Sequence, residues 1–162
     1  MKVRIRQATP SDAPIIEEML LEAARWVDAL GVIMWEEGEL TSSRIAQEAA
    51  DGQFFLAEVD GTQAGAIRFQ TIDLQFWPDI AQDDSAFVHR LVVRRTFKGR
   101  GVSTALLDFA VSRARGMGKR MLRLDCDADR SKLRALYERF GFELHSYRQV
   151  GSYYVARYQF QL

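Results

Sequence analysis

Arg94-Arg95-Thr96-Phe97-Lys98-Gly99-Arg100-Gly101-Val102-Ser103-Thr104-Ala105-Leu106-Leu107, entered from Phe87-Val88-His89-Arg90-Leu91-Val92-Val93, is the stretch on which the reading of this chain turns. The apolar run before it reads as a strand, and the apolar positions after it begin a helix. Two glycines between them let the backbone approach a ligand with no Cβ in the way. The first N–H groups of a helix have no internal partner and sit at the positive end of its dipole, so the junction suits a phosphate or pyrophosphate. Two established cradles do not fit. The Gly-Lys-Ser/Thr ending of the Walker loop is absent, and of the dinucleotide fingerprint G-x-G-x-x-G the chain offers only Gly99-Arg100-Gly101.

What remains is the pattern R/Q-x-x-G-x-G/A at a strand-to-helix junction. Here the chain resembles the GCN5-related N-acetyltransferase (GNAT) superfamily, in which that loop holds the pyrophosphate of acetyl-CoA. Lys98 stands where the family usually has Arg or Gln and keeps the positive charge; Ser103 stands where it usually has Gly or Ala and is still small. The resemblance extends from residue 87 to residue 142. Phe87 to Val93 is similar to the family's fourth strand, and Leu122-Arg123-Leu124-Asp125-Cys126-Asp127 to its fifth. Lys132-Leu133-Arg134-Ala135-Leu136-Tyr137-Glu138-Arg139-Phe140-Gly141-Phe142 resembles the K-L-R-x-x-Y-E-x-x-G-F signature near the family's C-terminus, with Arg130 where an Asn often precedes it.

The resemblance implies an α/β fold with a GNAT-like mixed, mostly antiparallel central sheet, a splayed pair of fourth and fifth strands, and flanking helices. It implies acetyl-CoA as co-substrate and no metal. Lys98, Gly99, Arg100, Gly101, Val102, Ser103 and Thr104 would hold the pyrophosphate, and the backbone of Leu91, Val92 and Val93 would pair with the pantetheine arm. Tyr137 takes the place of the family's signature tyrosine, where a phenol of pKa about 10 can protonate the departing thiolate. By pattern alone Leu133, Leu136, Tyr137 and Phe140 form a helical stripe that reads as core. For the general base three side chains stand out: Glu36 and Glu37, beside Trp35 in the region that lines the acceptor site of many relatives, and His89, whose type titrates near neutral pH. His89 also alternates with Phe87, Leu91 and Val93 on one strand face, as a satisfied buried histidine would, and a water chain could carry the proton instead. Trp35, Glu37, Phe76 and Trp77 are candidates for an acceptor pocket.

The implied activity is direct transfer of an acetyl group to a primary amine of a small molecule. A protein N-terminal or lysyl acceptor, or a non-catalytic acyl-CoA-binding role, are the other readings. Homodimers are common among relatives, and no residue here dictates one.

Length and composition agree with one soluble domain over residues 1–162. No apolar run approaches a membrane span, and Met1 to Arg6 alternates like a strand rather than a signal peptide. A single cysteine, Cys126, excludes an internal disulfide and fits a reducing cytoplasm. The net charge is zero yet segregated: residues 1–89 carry 6 Lys/Arg against 16 Asp/Glu, and residues 90–162 carry 16 against 6. An anionic cofactor is steered toward the basic half and an amine toward the acidic one. No basic stretch is interleaved with aromatics in a nucleic-acid motif.

The pattern predicts strands at 2–8, 54–59, 64–73, 86–93, 120–126, 142–148 and 153–161. Helices are predicted from a Ser11-Asp12 cap to about Leu30, then at 41–50, 100–115 and 131–140. Asp60-Gly61 is a hairpin signal. Val102, Ala105, Leu106, Phe109 and Ala110 are predicted to face inward.

Overall fold

The computed structural model describes residues 2–28 and 40–162. Seven strands are hydrogen-bonded in the order β1-β2-β3-β4-β5-β7-β6: β1 (Val3–Gln7), β2 (Phe54–Val59), β3 (Thr62–Gln70), β4 (Ser85–Val93), β5 (Met121–Asp127), β6 (Glu143–Val150) and β7 (Tyr153–Gln161). The described helices are α1 (Ala13–Asp28), α2 (Ser42–Ala50), α3 (Val102–Gly116) and α4 (Ser131–Phe140). β4 and β5 run parallel, while β1–β2, β2–β3, β5–β7 and β6–β7 are antiparallel. This is the mixed α/β sheet that the sequence predicts. The chain divides into two compact units, Met1–Arg68 with Arg90–Leu107, and Phe69–His89 with Asp108–Leu162.

In the first unit, Ile16, Met19 and Leu20 recur at helical spacing along α1 and pack with Ile45 and Ala49 of α2, Phe54 and Leu56 of β2, Ala66 of β3 and Val92 of β4. α1 starts at Ala13, where the Ser11-Asp12 signal predicts, but the capping residue is Thr9, which precedes a 3-10 turn at Pro10–Asp12 that leads into the helix. The reason is a competing partner for Asp12. Its carboxylate accepts from the Thr9 N–H at 2.8 Å and takes both terminal nitrogens of Arg6 at 2.9 Å, so it acts as the third residue of a capping box and not as the cap. Arg6 holds the Asp12 carboxyl down at about 2. At Asp60 and Gly61 φ is +50° and +79°, the left-handed pair that a type I′ turn requires. Thr41 caps α2 by accepting from the Arg44 N–H.

Gly65 in β3 is required for closeness: a Cβ there would lie 2.5 Å from the carbonyl oxygen of Val92 in β4. In the second unit, β5 lies between β4 and β7, and α4 stops at Gly141, whose φ is +122°. Phe140, Phe142 and Phe160 pack there with ring centroids 5.4 to 5.7 Å apart. Along α3 the buried stripe is Val102, Leu106, Leu107, Ala110, Val111 and Ala114. Ala105 and Phe109 are half-buried on its flank, which corrects the predicted face by part of a turn.

Because Asp12 is held ionised, its contribution to stability is present above about pH 4 and is lost as the pH falls toward 2. Asp12→Asn is expected to lower stability by about 1 kcal/mol at pH 7. Thermal melts of the two proteins should converge below about pH 2.

Candidate active site

The end of β4 and the turn that follows it are held by α1. The Arg94 N–H donates to the Ala64 carbonyl at 2.8 Å, and its guanidinium reaches Gln63 O, Glu18 and Glu22. The Arg95 N–H donates to Glu22, and its guanidinium lies 4.1 Å from the centroid of the Trp26 ring. A 3-10 turn over Arg95–Phe97 then delivers the exposed Lys98, Gly99 and Arg100. Gly99 and Gly101 have φ of +76° and +79°, and a Cβ at either would meet nothing within 4 Å. Glycine is therefore demanded by the left-handed backbone and not by crowding, and the space over the loop is open. The first bond of α3 runs from the Ala105 N–H to the Gly101 carbonyl, so the N–H groups of Val102, Ser103 and Thr104 precede the helical ladder. Lys98 to Thr104, the predicted pyrophosphate loop, thus form one continuous turn that leads into α3.

β4 pairs with β5 only from Ser85↔Met121 to Val88↔Leu124, although both strands continue. Two residues beyond the last pair, Arg90 has φ of +53°, a costly conformation for a non-glycine residue in a strand. Its buried guanidinium donates to Glu48 Oε1 of α2 at 3.1 Å, and Glu48 Oε2 lies 2.6 Å from Arg68 of β3. Leu91, Val92 and Val93 follow this break.

At the next register position, His89 and Asp125 face each other through their side chains, with Nδ1 3.8 Å from Asp125 Oδ2. His89 Nε2 lies 2.6 Å from Asp73 Oδ2. Asp73 is fixed in turn: its Oδ1 accepts from the N–H groups of Gln75 and Phe76, and its own N–H donates to Gln82. Gln82 also donates to the carbonyls of Trp77 and Ile80, which organises the 71–84 loop around one amide. The Phe76 ring is tilted against His89 with centroids 5.6 Å apart. His89, Asp73 and Asp125 bring ligand-type atoms within 4.8 Å of one another, and the short His89–Asp73 hydrogen bond links two of the three. The arrangement is a carboxylate-held imidazole.

Trp77 is fully buried beneath this group. The Arg157 and Arg123 guanidiniums lie 4.5 and 5.0 Å from its ring centroid, and His145 is 5.2 Å away. The pocket-wall expectation for Trp77 is thereby corrected to a core position, because two arginines and the loop cover the ring. Arg157 is itself held by Asp79 and the Phe76 carbonyl. Trp77 Nε1 lies close enough to Asp125 to favour its charged form, but neither atom completes a hydrogen bond of normal geometry.

Tyr137 is buried, its ring edge-on to Phe142 at 5.9 Å and tilted against Tyr158 at 6.2 Å. Burial raises its phenol above the ordinary range. Burial likewise pushes the Cys126 thiol up to about 12, so it is a small apolar residue with no thiolate character at neutral pH. Trp35, Glu36 and Glu37 lie outside the described residues. Sequence reasoning singled out His89 but missed Asp73 and Asp125 as its partners. Asp125 stands in the fifth-strand motif and Asp73 at the end of a predicted strand, but separations of 16 and 36 residues carry no signal that they meet at one ring.

β4, the glycine loop and α3 form a strand–loop–helix unit on a mixed α/β sheet with a short parallel β4–β5 ladder. Residues 17–142 match the Acetyltransferase (GNAT) family. The chain is 29% identical over 143 residues to the uncharacterized N-acetyltransferase YesJ of Bacillus subtilis, across 84% of this chain and 79% of that one. The crystal structure of a GNAT-family acetyltransferase from Listeria monocytogenes is similar with a TM-score of 0.82 and 28% identity, covering 99% of this chain and 95% of that one. YncA of Salmonella typhimurium, solved with its cofactor acetyl-CoA, shares the fold with a TM-score of 0.76 at 18% identity, covering 100% and 95%. The chain belongs to the GNAT acetyltransferase family and is an N-acyltransferase of that type. No described helix is long and apolar enough to cross a membrane.

Because the Val92 carbonyl stands where a Gly65 Cβ would go, Gly65→Ala must displace the strand just before the loop. A loss of about 1–3 kcal/mol is expected in urea denaturation.

Proposed function

We propose that this protein transfers the acetyl group of acetyl-CoA directly to the primary amine of a small molecule in a reducing cytoplasm. The observation that carries the reading is the loop from Lys98 to Thr104, in which two left-handed glycines lead into the unbonded first turn of α3. The N–H groups of Gly99, Gly101, Val102, Ser103 and Thr104 would receive the diphosphate, with Lys98 and Arg100 adding positive charge. The backbone of Leu91, Val92 and Val93 would pair with the pantetheine arm, and an amide there would polarise the thioester carbonyl.

The amine attacks the carbonyl carbon, the C–S bond breaks, and the thiolate needs a proton. Tyr137 is proposed to supply it. Burial favours its neutral form, so the proton is in place at any pH at which the protein works. On the acceptor side, His89 and Glu36 are the proposed bases, with Trp35 and Glu37 lining the amine pocket. The acidic balance of residues 1–89 supports a cationic acceptor. A homodimer is the proposed assembly.

Gly101→Glu adds bulk and negative charge at a left-handed position and is expected to abolish acetyl-CoA binding in calorimetry while the thermal melt stays cooperative. Retained binding would remove the loop assignment. Tyr137→Phe is expected to leave the acetyl-CoA Kd unchanged and to lower kcat by about 10²-fold. Unchanged kcat would leave Tyr137 a core residue.

A further inference from the structure

We propose that the β6 edge of the sheet pairs with β6 of a second copy of this chain, antiparallel and across a two-fold axis, so that Glu143 of each copy lies beside Arg148 of the other. This gives the homodimer proposed above its surface.

β6 ends the strand order, with β7 on one side and no strand on the other. It runs eight residues, Glu143–Val150, and none of its side chains is buried. Among the described residues, no main-chain N–H of β6 donates to a backbone carbonyl outside the ladder with β7. A row of outward donors and acceptors of that length is a template for another strand. Proteins blunt such edges with short strands, charges, prolines or bulges. The β1 edge is blunted in this way, being five residues long with Arg4 and Arg6 along it. β6 is longer and contains neither Lys nor Pro.

The bulge that β6 does carry, between Leu144 and Ser146, gathers its apolar side chains. Leu144 pairs with Tyr158 and Tyr147 with Ala156, whereas Glu143, Ser146 and Arg148 pair with Gln159, Arg157 and Val155. Residues opposite each other in a ladder share a face, so Leu144 and Tyr147 stand on one face and Glu143 and Arg148 on the other. Leu144 and Tyr147 are 43% and 44% exposed. Tyr154 of β7 stacks on Tyr147 with centroids 5.8 Å apart and is itself 51% exposed. An apolar strip of three side chains therefore borders the open edge.

Self-complementarity selects a second copy as the occupant. Across a two-fold axis, if residue i of one copy meets residue j of the other, then j also meets i. Setting Glu143 opposite Arg148 of the other copy makes that contact twice, and the same register sets Leu144 opposite Tyr147 twice. Each pairing keeps to one face, joining opposite charges on the polar side and apolar groups on the other. The charges are available for it. Glu143 is exposed, and Arg148 reaches Asp79 only at 3.9 Å, where Arg157 already holds both carboxylate oxygens at 2.7 and 3.0 Å.

Analytical ultracentrifugation of the full chain is expected to show a concentration-dependent monomer–dimer equilibrium, with amide exchange across residues 143–150 slowing as the dimer forms. Glu143→Arg alone and Arg148→Glu alone each put like charges at both contacts and should raise the dimer Kd about tenfold or more. The double variant exchanges the two charges and should return the Kd to near the parent value. Mixing the two single variants should give a heterodimer tighter than either homodimer, because both contacts then join opposite charges; a strand merely damaged by substitution would not recover on mixing.

A parent that stays monomeric at every soluble concentration overturns the surface and the homodimer together, and leaves the acetyl-transfer reading standing, since no residue of β6 takes part in it. A dimer whose Kd neither single variant changes, or single variants that fail to combine on mixing, overturns the β6 surface alone.

Discussion

The parting of β4 from β5 is the constraint on which the rest of this structure depends. Parallel pairing covers four residues of β4 and stops at Val88 and Leu124, and at Arg90 the backbone takes a left-handed turn that no glycine provides. Such a conformation costs on the order of 1–3 kcal/mol and persists only where its surroundings over-determine it. Here they do, because the Arg90 guanidinium is buried against Glu48, which also meets Arg68. Buried ion pairs are weak sources of stability but strong sources of specificity, since breaking one leaves a charge with no solvent. The main chain of Leu91 to Val93 follows from that anchor.

The same logic recurs in the 71–84 loop. It is held by charge-assisted bonds, Arg157 to Asp79 and to the Phe76 carbonyl, and by the Gln82 side chain, with Trp77 fully buried beneath two guanidinium groups. This rigidity places Asp73 at His89 with an orientation that hydrophobic packing would not specify. In the other unit, Glu22 and Trp26 of α1 hold Arg94 and Arg95, so the glycine loop starts from a fixed point.

Much of this was legible because the signals are local. The Asp-Gly hairpin, the helical and strand periods and the double-glycine loop each require a particular backbone or periodicity within a few residues. Where the reading slipped, a distant partner intervened. Asp12 became a box residue because Arg6 lies across from it on β1, and the inward face of α3 moved because the buried stripe follows what α3 packs against. Trp77, read as a pocket wall from its type, is core because Arg123 and Arg157 cover it.

The sequence by itself determined the glycine loop, the order of elements and the family, because conformational demands on glycine and hydrophobic periods are written residue by residue. Only tertiary structure decided that Asp73, His89 and Asp125 share one imidazole, that Arg90 bends β4 against Glu48, and that Tyr137 is buried. Those facts depend on groups far apart in the chain meeting where water is excluded, and the strength of a charge or a hydrogen bond is set by that exclusion.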